Sequence, residues 1–105
     1  MNEMFYRTSL LKLRSYLTHE AKGHSSFSFS DDEFESLMKY KPRKLEDFKK
    51  FKIKGFPYNG KRVKSFGLII CDIFSGKDFK SFVIKSDSKG EVKVQGQIEK
   101  SAAFL

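Results

Sequence analysis

A chain of 105 residues with 21 Lys and Arg against 13 Asp and Glu has a net charge of +8 and room for one domain with a modest core. Its single cysteine, Cys71, excludes an internal disulfide framework and fits a reducing compartment. No run approaches the roughly 18 apolar residues that span a bilayer, and Arg7, Lys12 and Arg14 interrupt the apolar positions of residues 1–17, so neither a membrane span nor a signal peptide is expected.

Twelve Phe and no Trp predict a core built largely from phenylalanine and leucine. In TSLLKLRSYLTHEAKG, Leu10, Leu13 and Leu17 repeat at helical spacing, with Tyr6 before them and Leu11 on the flank. That pattern predicts a first helix with Lys12, Arg14 and His19 facing outward and Gly23 as its C-cap. In HSSFSFSDDEFESLMKYKP, Phe27 and Phe29 alternate with serines, an extended segment whose rings turn inward. Ser30 or Asp31 then caps a second helix whose early acids, Asp32, Glu33 and Glu35, sit at the positive end of the helix dipole. Phe34, Leu37 and Met38 form its buried stripe, and Pro42 stops it shortly after Tyr40. Acids in a first helical turn need no metal to explain them.

RKLEDFKKF predicts a short third helix burying Leu45, Phe48 and Phe51. KIKGFPYNGK follows as a turn punctuated by Gly55, Pro57, Asn59 and Gly60. KRVKSFGLIICDIFSG predicts a fourth helix, with Val63, Phe66, Ile70, Ile73 and Phe74 on one stripe and Gly76 at its end. Gly67 within it costs about 1 kcal/mol relative to alanine, which points to a close helix contact or a break there. FVIK and EVKVQGQI alternate at period two around the turn signal SDSKG, so residues 82–98 read as a β-hairpin that must pack on the helices or pair with another chain.

The charge is unevenly placed. From Lys39 to Lys64 there are eleven Lys or Arg against Glu46 and Asp47, a net +9, so the other 79 residues sum to −1. Clustering of this kind is expected of a polyanion footprint, because released counterions reward it. The plainer alternative is a lysine-rich face that keeps a Phe-rich domain in solution. The candidate site residues are Lys49, Lys50, Lys52 and Lys54 before the turn, Tyr58 within it, and Lys61, Arg62 and Lys64 after it. The lysines and the arginine would contact phosphates, supplying affinity with little sequence information. Tyr58 would stack on an unpaired base or pack over Pro57, and the second helix's N-terminus would add free amides and a partial positive charge.

No catalytic constellation is expected. His19-Glu20 lacks the second histidine of a zinc-protease helix, and GFPYNGK has Arg62 where a nucleotide-binding loop needs Ser or Thr. Cys71, in FGLIICDIF, reads as a small buried hydrophobe with no base nearby. No metal or cofactor is implied.

Taken in order, LLKLRSYLTHEAK, FSFSDDEFESLMKYKP, KLEDFKKFKIKGF and KRVKSFGLIICDIF resemble the four helices of the HRDC domain, the helicase-and-RNase-D C-terminal module, over about residues 6–75. The turn GFPYNG is longer than the family's and contains Pro57, and the hairpin lies outside the resemblance. The resemblance implies a compact helical domain; with the hairpin read from its alternation, the expected fold is mainly α, a small HRDC-like helical bundle over residues 1–76 with a hairpin-like C-terminal extension over 77–105. It implies a non-catalytic module that binds nucleic acid weakly, single-stranded DNA ahead of RNA, within or beside a RecQ-type helicase or related nuclease. The rival is a protein-docking module with an incidental basic face. Either would be intracellular, cytoplasmic or nucleoid-associated, or nuclear in a eukaryote, with no membrane partner.

Overall fold

Asn2 starts the first helix: its side chain accepts a hydrogen bond from the Phe5 amide at 2.9 Å, so α1 runs Glu3–Ser15 and begins before the leucine stripe. In the computed structural model, which describes residues 2–21, 23–24 and 27–98, this helix continues as a π-helical stretch, Tyr16–Glu20. Leu10, Leu13 and Leu17 are fully buried. His19 and Lys12 are exposed as expected, and the Lys12 ammonium also donates to the Phe79 carbonyl at 2.8 Å. Arg14 is likewise engaged, with Asp31 at 2.8 Å and over the Phe34 ring at 5.4 Å. Arg7 lies over the same ring at 5.3 Å while pairing with Glu35.

The second helix, α2, is Asp31–Tyr40. Ser30 caps it in a reciprocal box, accepting from the Glu33 amide at 3.2 Å while the Glu33 carboxylate accepts from the Ser30 amide at 2.8 Å. It ends on Lys41 in the left-handed region, followed by a buried Pro42. The third helix is shorter than its sequence predicts. Asp47 takes the Arg43 amide on its side chain, tight turns follow through Lys44–Asp47, and only Asp47–Lys50 is α-helical, as α3.

The fourth helix, α4, spans Lys61–Phe74, and all five residues of its predicted stripe are buried. The break expected near Gly67 is present, and the close contact is with a turn rather than a helix. The backbone leaves helical geometry at Phe66 (φ −142°, ψ 16°), and a Cβ at Gly67 would stand 3.0 Å from Val63 and 3.3 Å from Leu45. The chain then forms an antiparallel hairpin, β1 (Phe79–Ser86) and β2 (Val92–Ile98), pairing Phe82 with Gly96 and Ile84 with Val94. The hairpin packs on the helices: Phe79 and Val94 belong to the same buried cluster as the helical stripes.

The described residues thus form four helices and one two-stranded sheet, a mainly α architecture. At its centre Phe56 lies 5.7 Å from Phe29 and 6.1 Å from Phe66, ring to ring, so phenylalanines interlock where a Phe-rich composition places them. None of the described helices is long and apolar enough to cross a membrane.

Candidate nucleic-acid interface

The link between α3 and α4 is held from below. Phe51, Ile53 and Phe56 turn toward the core, the last with no exposed surface, while Lys52 and Lys54 between them are exposed. Period-two alternation along an extended segment sends apolar side chains one way and lysines the other. Gly55 allows the reversal: its φ is +82°, and a Cβ there would overlap the Glu33 carboxylate. The segment expected as a turn is therefore a strap with two buried plugs in the core, Ile53 and Phe56.

On the outer side, Lys49, Lys50, Lys52, Lys54, Lys61 and Lys64 are all exposed. Tyr58 is 39% exposed, and the Lys49 ammonium stands 5.9 Å from its ring. Lys50 sits 5.3 Å over Phe51, and Lys54 makes a solvent-exposed pair with Asp32 at 3.3 Å. Such a pair contributes little to stability and yields readily to a phosphate.

Arg62 occupies a different environment from its neighbours. Its guanidinium donates to the Glu33 carboxylate at 2.8 Å, to the Ser28 carbonyl at 2.7 Å and to the Gly55 carbonyl at 3.1 Å, and it lies 5.6 Å over the Phe56 ring. One side chain thereby ties α2, the approach to α2 and the strap to the start of α4. Burial pushes the Glu33 carboxyl up, but the Ser30 amide and Arg62 outweigh it and leave it below its ordinary value. The α2 N-terminus is correspondingly not open: Ser30 and Glu33 satisfy its cap, and Asp31, Asp32 and Glu33 surround it with negative charge.

Three adjoining grooves collect the basic residues. The first, between α3 and the strap, is lined by Lys49, Lys52, Lys54 and Tyr58. It shares Gly55 and Pro57 with a second, which adds Phe27, Lys61 and Arg62. Phe27 and Lys61 continue into a third, between the start of α4 and the hairpin turn, where Lys64 is joined by Lys89 and Lys93. Lys50 lines none of them.

Sequence reasoning missed Phe27, Lys89 and Lys93 as members of this surface. Phe27 is only half-buried and stacks on His24 at 6.1 Å instead of turning fully inward like Phe29. The two hairpin lysines lie outside the basic quarter in sequence and reach it only through the packing of the hairpin on the helices.

Burial pushes the Cys71 thiol up to about 12, the range of an inert core cysteine. Among the described residues no three His, Cys, Asp or Glu side chains gather to hold a metal ion. Compared with protein-family models, curated proteins and solved structures, the chain matches none.

Proposed function

We propose that this chain is a non-catalytic module that binds single-stranded nucleic acid through its phosphates. The observation that carries the reading is the strap between α3 and α4: two core plugs hold it down while exposed lysines and Tyr58 line grooves that run into one another. Lysines on a strap anchored in the core neutralise phosphates without the backbone having to order on binding, and an exposed aromatic between them stacks on any unpaired base. The HRDC-like reading of the four helices, and with it the preference for DNA over RNA and a helicase or nuclease as companion, stands on the sequence resemblance. Within the site, Lys49, Lys52, Lys54, Lys61 and Lys64 are the phosphate contacts and Tyr58 the stacking platform. Lys50 adds charge at the margin, and Arg62 positions the others.

Replacing Lys52, Lys54, Lys61 and Lys64 together by glutamate should weaken binding of a labelled oligo-dT by tenfold or more, on the order expected from losing several phosphate contacts. Fluorescence anisotropy at low salt reads this directly, and unchanged affinity removes the assignment.

A second reading draws on the hairpin. Both strands have an edge without a strand partner among the described residues, and Val83 and Ile98 are about half-exposed. Such edges can receive a protein segment. Tight, salt-insensitive capture of a protein by a chain that ignores oligo-dT would favour this docking role.

A further inference from the structure

The third groove gives the hairpin a role beyond packing. Its walls carry Lys61 and Lys64 from the first turns of α4 and Lys89 and Lys93 from the hairpin, with Phe27 between them and Glu91 as its one lining carboxylate. Four ammonium groups against one carboxylate make a strongly positive trough. The hairpin tip that presents Lys89 is ordered by its own bonds. The Asp87 carboxylate accepts from the Lys89 and Glu91 amides at 2.8 and 2.9 Å, and Gly90 turns the chain with φ +81°. The Asp87 side chain is thus engaged within the turn.

On the strands, Lys93 stands directly across from Lys85, both exposed and neither ion-paired among the described residues. Like charges opposed across a strand pair are unfavourable, and Lys93 of the two lines the groove. A local conflict of this kind is expected where a surface serves a ligand.

We infer that the hairpin is the second jaw of the nucleic-acid site. The phosphodiester backbone of a single strand leaves the α3–strap groove, passes Phe27 and runs between Lys61 and Lys64 on one side and Lys89 and Lys93 on the other. Phe27 stacks on a base unavailable in a closed duplex, which selects the unpaired strand. This inference rests on the nucleic-acid reading above and extends it to residues distant in sequence.

The test compares three full-length variants with the parent chain by anisotropy of fluorescein-labelled oligo-dT over a salt series, with thermal melts to verify folding. Lys89→Glu with Lys93→Glu should weaken binding about tenfold and make the slope of log K against log salt shallower by about 1.4, two contacts at about 0.7 each. Phe27→Leu, which keeps apolar bulk but removes the ring, should cost roughly tenfold at unchanged slope. Lys49→Glu with Lys52→Glu reports on the first groove alone. If that pair loses binding while the hairpin pair binds like the parent, the jaw is overturned and the nucleic-acid reading survives. If the parent does not bind oligo-dT at low salt, the reading falls and takes the jaw with it. Equal binding of an acidic peptide or anionic vesicles, abolished by the hairpin pair, would overturn nucleic acid as the occupant.

Discussion

Arg62 shows how a basic residue in a basic cluster can serve the fold. Two of its three acceptors, Ser28 and Glu33, lie 34 and 29 residues before it in sequence, and its ion pair with Glu33 is mostly shielded, with side-chain exposures of 23% and 16%. Removing one partner of a shielded, hydrogen-bonded pair leaves the other desolvated. Arg62→Ala should therefore cost about 2–3 kcal/mol, a Tm drop on the order of 10 °C or more for a domain this size. Lys61→Ala, next to it but exposed, should stay within about 0.5 kcal/mol; equal losses would show the knot to be unimportant.

The same pair gives an acid dependence. Glu33 titrates below its ordinary 4.5 when folded, so its stabilisation is complete above that pH and is lost as pH falls through the lower folded value. Glu35, held down chiefly by its hydrogen bond from Arg7, acts in the same direction. Melts between about pH 5 and pH 3 should show a shallower decline for Glu33→Gln than for the parent. An identical pH profile would contradict the assignment.

Among the elements, the stripes of α1, α2 and α4 were legible because helical spacing of Leu, Phe and Ile is set by burial alone. The hairpin was legible for the matching reason at period two. What local pattern cannot display is competition between neighbours. The Asp47 side chain intercepts the Arg43 amide and shortens α3, and Asn2 extends α1 beyond the stripe that announces it. Phe56 had the residue type of a core plug, but its surroundings, Gly55, Pro57 and Gly60, carried the stronger turn signal. Gly96 is similar. It opposes Phe82 in the strand register, and a Cβ there would overlap the Phe79 ring that anchors the hairpin to the core. Gly96→Ala should then destabilise the domain by about 1–3 kcal/mol through overpacking, in a urea melt read by circular dichroism. A neutral or stabilising result would mean that the hairpin is not seated as described.

At the scale of the molecule, the concentration of positive charge between Lys39 and Lys64 was visible in sequence, and so was its position at a turn between two helices. The division of labour inside it was not, because exposure depends on which residues the core claims. Arg62 and the α2 cap turn out to be engaged, while Lys89 and Lys93, 25 residues or more beyond Lys64, complete a groove begun by Lys61. Eight basic side chains against one carboxylate, Glu91, thus line a surface that joins the strap, the start of α4 and the hairpin.

The measurement that tests the central claim most directly is a salt titration of binding to single-stranded DNA, duplex DNA and RNA of equal length. We predict tighter binding of the single strands than of the duplex, and a slope of log K against log salt for single-stranded DNA between about −2 and −4, as for roughly three to six phosphate contacts. Affinity that does not change with salt, or no binding to any of the three at about 50 mM salt, would contradict the account.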